Sequence, residues 1–264
     1  MSDPAKPVAV PVPAATILIA RDSANGPEVF MVKRHHQIDF VAGALVFPGG
    51  KASKSDFDAG LSEFTVGAED WSAEIRGLGA AAIREAFEES GILFARDSES
   101  KDFISTERLE TLEHYRHSLE KGEISLLDML RREQLTIACD ALAHFAHWIT
   151  PANMPKRFDT HFFLAAAPAG HAGRHDGRES VDSIWITPND AINDRKKWNV
   201  IFPTKLNLMK LAPAANVNAA LEAARAKPPL TVTPWVEQGA EGPILRIRDD
   251  AGYAQTSTFL REAM

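Results

Sequence analysis

The sequence contains a single cysteine, Cys139, which excludes an internal disulfide and fits a reducing compartment. No apolar run approaches the roughly 18 residues that a membrane-spanning helix needs, so we expect no membrane segment. The first 13 residues combine proline, alanine and valine without the basic and apolar regions of a secretory signal. We therefore expect a cytoplasmic protein whose residues 1–13 are a disordered lead-in.

Basic residues are also in deficit, because 29 Lys and Arg stand against 36 Asp and Glu, a formal net charge of −7. This balance gives no bulk attraction to nucleic acid or to an anionic membrane, so neither is an expected partner. A polyanionic substrate would have to be attracted by a local site. The 264 residues, 45% hydrophobic and 25% charged, otherwise have the composition of an ordinary globular protein.

Hydrophobic patterning predicts a mixture of helices and strands. Two apolar runs, 14–20 and 29–34, flank a turn marked by Asn25 and Gly26, which indicates a β-hairpin. Leucines with helical periodicity predict a helical pair in 105–134, broken at Gly122. Further strands are predicted at 44–47, 142–148, 157–165 and 181–186, helices from 188, at 203–211 and at 216–227, and a closing hairpin from 231–236 and 244–247. This order favours an α+β protein with a mixed sheet.

The most informative stretch is a predicted helix at 72–90 that carries three glutamates. Glu85, Glu88 and Glu89 are spaced i, i+3 and i+4, which places the three carboxylates on one side, with Phe87 on the opposite, apolar side. Like charges at this spacing cost about 0.2–0.5 kcal/mol per pair, so the helix is expected to receive a cation. Oxygen ligands suit Mg²⁺ or Mn²⁺. At this point, an acidic surface that only faces solvent is an equal alternative.

The segment Arg84-Glu-Ala-Phe-Glu-Glu-Ser-Gly-Ile92 resembles the second half of the Nudix box, Arg-Glu-U-x-Glu-Glu-x-Gly-U, where U is a bulky apolar residue. Gly50 stands where that box begins. The box places its glycine 14 residues before the arginine, whereas Gly50 precedes Arg84 by 34, which implies an insertion of 34 − 14 = 20 residues. The glutamate expected eight residues before the arginine is Arg76 here. The side chain that normally braces the loop against the helix is therefore expected to be missing.

The resemblance implies a Nudix α/β/α sandwich with a mixed β-sheet, a helical insertion and a helical C-terminal extension. The Nudix domain would span 14–211, with insertions at about 51–71 and 99–135, and the extension at 212–264 would pack on the same domain. An inserted box is similar to that of the peroxisomal coenzyme A diphosphatases, a branch whose other segments resemble 44–50, 148–151 and 157–160. The chain ends without a peroxisomal tripeptide, which favours a cytoplasmic setting.

The same resemblance assigns a metal site to the acidic helix. It implies that Glu88 and Glu89 are ligands of Mg²⁺ or Mn²⁺, and that Glu85 is a third ligand or the group that activates the water nucleophile. The carbonyl of Gly50 is implied as a further ligand. Arg84 is grouped with the catalytic residues because it is expected to orient the glutamates.

Three further candidates concern the general base and the substrate. Glu179 stands where many family members carry an acid, and is either a general base, another ligand or a solvated loop acid. Arg34, with Gly49 and Gly50, partly resembles the motif linked to coenzyme A recognition in other Nudix enzymes, although the serine of that motif is His35 here. Arg34, Gly49 and Gly50 are therefore candidate substrate-binding residues.

The resemblance implies metal-dependent hydrolysis of a diphosphate bond in a nucleoside diphosphate linked to another moiety, with coenzyme A or acyl-coenzyme A as the leading candidate. Enzymes acting on ADP-ribose, NADH or a nucleotide sugar are an alternative. A Nudix-like regulator that binds a nucleotide without cleaving it is another, although three intact glutamates argue against it. The acidic balance argues against RNA decapping. The substrate is thus a small molecule, and a homodimer is left open.

Histidines and tryptophans give weaker signals. His144 and His147 are three residues apart, a spacing that on a regular strand puts them on opposite faces, so no joint metal site is expected. Asp159 is expected to fix its strand or to contact substrate. Trp148 and Trp185 are predicted to belong to the core rather than to stack on a base.

Overall fold

The computed structural model describes residues 8–35, 43–98, 100–178 and 180–263. The strands in these ranges are β1 (Val12–Ser23), β2 (Gly26–Arg34), β3 (Leu45–Val46), β4 (Gly49–Lys51), β5 (Thr65–Val66), β6 (Ala95–Asp97), β7 (Leu135–Ala138), β8 (Ala143–Ile149), β9 (Phe158–Ala166), β10 (Ser180–Ile186), β11 (Thr231–Val232), β12 (Trp235–Gly239), β13 (Gly242–Arg246) and β14 (Ser257–Phe259). The α-helices are α1 (Ala73–Ser90), α2 (Thr106–Leu112), α3 (Tyr115–Glu120), α4 (Leu126–Glu133), α5 (Pro188–Asn193), α6 (Phe202–Leu211) and α7 (Val217–Ala226). Short 3₁₀ helices lie at Lys54–Phe57, Ala59–Phe64, Cys139–Ala141 and Leu260–Glu262.

The main sheet has the order β10-β2-β1-β9-β8-β11, with β3 paired to β2 and β4 paired to β1. Strand β1 is parallel to β9 and β8 is parallel to β11, whereas the other pairs are antiparallel. The expected mixed sheet and β1–β2 hairpin are thus confirmed. Gly26 has a φ of 94° at the hairpin turn, a backbone conformation that glycine adopts readily. The lead-in was predicted too long, because β1 already begins at Val12.

Both faces of the main sheet are buried, which explains the long apolar runs in its central strands. On β1, Ile17 and Ile19 pack in one core with α1, whereas Leu18 packs in a second core with α6 and α7. Each fully buried aliphatic side chain of this kind contributes about 1.5–3 kcal/mol. The sheet therefore lies between two helical layers, and the expected α/β/α sandwich is confirmed.

The segment 105–134 forms three short helices, α2, α3 and α4, so the predicted helical pair is wrong. The serines Ser105 and Ser125 cap α2 and α4, and Gly122, with a φ of 67°, follows the end of α3. Leucine periodicity missed the break between α2 and α3, because Leu109, Leu112 and Leu119 all face the same core. A three-stranded sheet, β5-β7-β6, connects this segment to the region before α1.

Arg116 on α3 fixes the C-terminal end of α1. The last carbonyls of a helix lack partners within the helix. The Nε and Nη2 atoms of Arg116 donate to the carbonyl of Glu88 at 3.1 and 3.0 Å, and Nη2 also donates to the carbonyl of Arg174 at 3.1 Å. Nη1 pairs with Glu113 at 2.7 Å. The inserted helices thus hold the end of α1 that carries its glutamates.

We expect Arg116→Met to lower the free energy of unfolding by about 2 kcal/mol, since a hydrogen bond from a charged group contributes about 1.5–3 kcal/mol. Chemical denaturation measures this change. Arg174→Met is the matched control: its side chain is 76% exposed and pairs with the same Glu113, so we expect a change within about 0.5 kcal/mol. Equal stabilities of the two variants would contradict the anchoring role of Arg116.

The C-terminal residues cover the second face of the sheet. Buried Trp148 donates through Nε1 to the hydroxyl of Tyr253 at 2.8 Å, and that hydroxyl donates to Asn207 Oδ1 at 2.8 Å. The expected core position of Trp148 is confirmed, whereas Trp185 is half-buried against Phe30. The predicted closing hairpin is only partly correct, because β11 joins β8 and β12 pairs with β13 instead. No helix in the described ranges is long and apolar enough to cross a membrane.

Candidate active site

Helix α1 has the predicted extent and well-defined ends. The hydroxyl of Ser72 accepts a hydrogen bond from the N–H of Ile75 at 3.2 Å, a cap that begins the helix. Gly91 ends it in the left-handed conformation, with a φ of 68°, and its N–H donates to the carbonyl of Phe87. These caps fix the rotation of α1 and hence the direction in which its glutamates point.

The three glutamates of α1 are buried rather than exposed on a solvated surface. Glu85, Glu88 and Glu89 each expose only 8% of their surface. Their carboxylates lie against the turn at Gly49 and Gly50, the first residues of β4. The N–H of Gly49 donates to Glu89 Oε2 at 3.1 Å. A Cβ atom on Gly50 would lie 2.7 Å from both carboxylate oxygens of Glu85, so only glycine allows this approach.

Arg84 organises this carboxylate cluster from within. Its Nη1 atom donates to Glu85 Oε1 at 2.8 Å and to both carboxylate oxygens of Glu88 at 3.1 Å. Its Nη2 atom donates to the carbonyl of Lys51 at 3.0 Å, which ties the helix to β4. These contacts occupy the guanidinium group with protein atoms, as expected of a residue that positions the glutamates.

Asp56 supplies the brace that was expected to be missing. Its carboxylate accepts two hydrogen bonds from Arg84, Nε to Oδ1 at 2.9 Å and Nη2 to Oδ2 at 3.0 Å, and one from the N–H of Ser53 at 2.7 Å. Asp56 is only 1% exposed. The expectation that the brace is lost is therefore wrong, and Arg76 instead donates to the carbonyl of Trp71.

The sequence contained a signal for Asp56 that counting from the arginine missed. A glycine 14 residues and a glutamate eight residues before the arginine are 14 − 8 = 6 residues apart. Six residues after Gly50 stands Asp56. The loop is thus intact up to this aspartate, and the additional residues come between Asp56 and Arg84.

Burial controls the charges in the cluster. Desolvation raises the pKa of Glu88 to about 8, with the nearby Glu85 and Asp56 adding to the shift against the opposing effect of Arg84. Burial also opposes the charge of Arg84, but the surrounding carboxylates outweigh it and raise the pKa of Arg84 further above its usual value. Arg84 therefore stays cationic, and the site has a surplus of carboxylates for one guanidinium.

These features fit the Mg²⁺ or Mn²⁺ expected from the sequence. The side-chain donors are all oxygens, which both ions prefer. The raised pKa of Glu88 shows that the buried carboxylates lack enough positive charge to stabilise full ionisation. A divalent cation would supply that charge. The residues present are Glu85, Glu88 and Glu89, with the backbone of Gly50 beside them.

Arg34 lies at the end of β2, on the sheet face that carries α1, because it alternates with Phe30 and Val32 of that core. Within the described ranges, its buried Nε atom has no hydrogen-bond partner. Buried guanidinium donors of this kind favour an anion. Glu179, the candidate general base, lies outside the described residues.

A β-bulge in β8 overturns the expectation for the histidines. The register with β9 shifts between His144 and Ala146, so Phe145 is the extra residue. The bulge turns His144 and His147 to the same face, with ring centroids 6.5 Å apart. The prediction that they lie on opposite faces is wrong. Its signal was the adjacent pair Phe145 and Ala146, two buried residues where strict alternation allows one.

The bulge creates a second polar cluster on the face that carries α1. His147 lies directly opposite His161 of β9, and Asp159 is two residues before His161 on the same face. Asp159 Oδ1 lies 2.5 Å from His147 Nε2 and 3.7 Å from His161 Nε2. Burial lowers the pKa of His161 to about 3 and that of His144 to about 4, with the neighbouring His147 adding to both shifts. Both rings are therefore neutral at physiological pH.

Comparisons with known proteins agree with the sequence resemblance. The family model described as the NUDT19 Nudix domain matches residues 73–207. The acyl-coenzyme A diphosphatase NUDT19 of Xenopus laevis is 27% identical over 222 residues, which cover 69% of this chain and 58% of that protein. A relative from Caenorhabditis elegans is 30% identical over 183 residues, which cover 69% of this chain and 53% of its own. The chain thus spans little more than half the length of these relatives.

A solved structure supports the fold. The crystal structure of a NUDIX hydrolase from Alicyclobacillus acidocaldarius superposes with a TM-score of 0.69 and 28% identity. The match covers 83% of this chain and 99% of that one. The arrangement of sheet and helices described above is therefore that of a known enzyme class.

Proposed function

The chain belongs to the Nudix hydrolase family, and on this premise we propose that it hydrolyses the diphosphate bond of a nucleoside diphosphate linked to another moiety. The observation that carries this proposal is the buried carboxylate cluster of α1, in which Glu85, Glu88 and Glu89 lie together against Gly49 and Gly50. A module that only binds nucleotides has no need for three buried carboxylates around one arginine.

The roles of the residues follow from their positions. We assign Glu88 and Glu89 as ligands of Mg²⁺ or Mn²⁺, with the carbonyl of Gly50 beside them, and Glu85 as a third ligand or the group that takes the proton from the attacking water. When bound, such an ion supplies charge neutralisation of the diphosphate and a lowered pKa of coordinated water. Arg84 is a positioning residue, because its donors are directed at carboxylates. Glu179 stays a candidate general base.

Arg34 is the proposed contact to the substrate. A diphosphate approaching the carboxylates of α1 meets like charge, so it needs positive charge from the protein as well as from the metal. Arg34 lies on the same face of the sheet, and its buried Nε atom gains a hydrogen bond when a phosphate oxygen binds. The affinity for a phosphate oxygen would thus come from satisfying a group that is otherwise unpaired.

Coenzyme A or an acyl-coenzyme A is the proposed substrate. The relative from Xenopus laevis is named an acyl-coenzyme A diphosphatase, and the residues around Arg34, Gly49 and Gly50 partly match the motif of coenzyme A recognition. The test is a hydrolysis panel with Mg²⁺ over coenzyme A, acyl-coenzyme A, ADP-ribose, NADH and nucleotide sugars. We expect the highest kcat/KM for the two coenzyme A substrates. No hydrolysis of any compound would favour a nucleotide-binding regulator instead.

We expect Arg34→Gln to raise KM for the preferred substrate about tenfold and to change kcat less. A charged hydrogen bond to phosphate contributes about 1.5–3 kcal/mol, and 1.4 kcal/mol corresponds to a factor of ten. Steady-state kinetics measures both constants. Lys33→Gln is the matched control, because Lys33 is the preceding residue of β2 and points to the opposite face. Equal KM values for the two variants would remove Arg34 from the substrate site.

A further inference from the structure

We propose that His147, His161 and Asp159 form a Zn²⁺ site, separate from the carboxylate cluster of α1. One ligand atom from each of the three residues lies within 4.8 Å of the other two. Two imidazole nitrogens with one carboxylate oxygen are a donor set that zinc accepts, whereas Mg²⁺ prefers oxygen alone. The cluster and the acidic helix therefore differ in the ion they select.

Hydrogen bonds at the outer nitrogens aim both imidazole rings into the cluster. His147 Nδ1 lies 2.9 Å from Thr231 Oγ1, and His161 Nδ1 lies 3.1 Å from His144 Nε2. When each Nδ1–H donates outward, the lone pair of each Nε2 atom remains to bind a metal. Such outer partners fix the tautomer and ring orientation in known zinc sites. Thr231 and His144 thus occupy the places of positioning residues.

The distances between the ligand atoms are compatible with one tetrahedral ion. Zinc lies about 2.0–2.2 Å from nitrogen and oxygen ligands, so two ligands of a tetrahedral site are roughly 3.3–3.5 Å apart. The distance from Asp159 Oδ1 to His161 Nε2 is 3.7 Å, and that to His147 Nε2 is 2.5 Å. Side-chain rotations of about 1 Å would equalise these distances without moving the strands.

The cluster is open enough for an ion and a water to enter. The side chain of Asp159 is 33% exposed and that of His147 is 16% exposed, whereas His161 is 8% exposed. Three protein ligands with one open position are the usual composition of a zinc site that keeps a water. The ion would connect β8 to β9 directly and, through Thr231, to the short edge strand β11.

The test uses the full chain, stripped of metal by a chelator and kept in millimolar Mg²⁺ so that the acidic helix is occupied. Titration with Co²⁺ is expected to give stoichiometric binding and the visible absorption bands of a low-coordinate ion with nitrogen ligands. Added Zn²⁺ is expected to displace Co²⁺, and the thermal midpoint of unfolding should rise with free Zn²⁺. Neither readout depends on hydrolysis, so the proposal stands or falls apart from the proposed function.

Variants locate the ion. Asp159→Asn and His161→Gln are each expected to weaken Co²⁺ binding more than about 100-fold, and Thr231→Val about 10–100-fold, as for other residues that orient a metal ligand. His114→Gln is the matched control, since His114 is exposed between α2 and α3 and should leave binding unchanged. Far-UV circular dichroism checks the fold, and the part-exposed Asp159 decides if His161→Gln is unstable.

Three outcomes would overturn the proposal. The first is wild-type Co²⁺ affinity in Asp159→Asn. The second is an absorption band that disappears in Glu89→Gln but persists in Asp159→Asn, which would place the ion on α1. The third is a loss of hydrolysis in Asp159→Asn with unchanged metal binding, which would make the cluster a substrate contact.

Discussion

Glu89→Gln is expected to reduce kcat roughly a thousandfold while the fold is retained. Removing a ligand of the catalytic ion forfeits several kcal/mol of transition-state stabilisation, and each 1.36 kcal/mol is a factor of ten in rate. The amide oxygen of glutamine still accepts a hydrogen bond from the N–H of Gly49, which now reaches Glu89 Oε2. The loss should therefore appear in kcat rather than in stability. Steady-state hydrolysis with saturating Mg²⁺ measures it.

The matched control is Glu74→Gln, on the first turn of the same helix, where the side chain is exposed. This variant should keep the wild-type rate, because the same change of charge occurs away from the cluster. Hydrolysis near the wild-type rate in Glu89→Gln would remove the acidic helix from the reaction, and the family membership would then describe the fold alone.

Asp56→Ala is expected to lower the free energy of unfolding by about 3–5 kcal/mol, the cost of leaving one partner of a buried ion pair alone. Arg84 and Asp56 are 9% and 0% exposed at their side chains, so water does not replace the lost contact. Asp56→Asn keeps the volume and removes only the charge. We therefore expect it to be less damaging than the alanine variant but clearly below wild type. Urea unfolding gives both values.

Asp58→Asn serves as the control for Asp56. Asp58 belongs to the same loop but is exposed, and its Oδ1 accepts from the N–H of Gly60 at 2.8 Å. Asparagine caps as well as aspartate, so stability should change by less than about 0.5 kcal/mol. If Asp56→Asn were as stable as wild type, the arginine would not depend on this carboxylate and the proposed brace would be rejected.

The sequence was sufficient for the features that local rules determine. Ser72 and Gly91 bound a helix with regular spacing, so α1 and the common side of its glutamates could be predicted within a residue. The β1–β2 hairpin was equally local, because Gly26 marks its turn. What local rules could not give was burial: the acidic side of α1 reads as a solvated surface until β4 and Asp56 are placed against it.

The remaining errors arose where a contact joins distant residues or a strand departs from alternation. Asp56 and Arg84 are 28 positions apart, and nothing near either residue names the other. The bulge at Phe145 depends on pairing between β8 and β9, which a single strand does not reveal. One extra residue there decided whether two histidines face each other or opposite layers, and so a candidate metal site was missed.

Both candidate metal sites use one row of the main sheet. Gly50 of β4 pairs with Ala15 of β1, Ala15 pairs with His161 of β9, and His161 pairs with His147 of β8. Neighbouring strands are about 4.8 Å apart, so Gly50 and His161 are separated by about 10 Å. A substrate held over Gly50 would therefore extend within reach of the histidines, and occupancy of one site is expected to be felt at the other through the rigid sheet between them.

The ion pair between Asp56 and Arg84 acts as a clasp at the two ends of the intervening chain. Because the clasp fixes the points where that chain leaves and rejoins the sandwich, its length can vary without moving the glutamates that follow. Closing a longer loop costs little, about 0.6 kcal/mol for each doubling of its length. The segment between the two residues is thus the place where this architecture can accept a tag, a reporter or a new recognition surface, and where related chains can diverge in size while keeping the same chemistry.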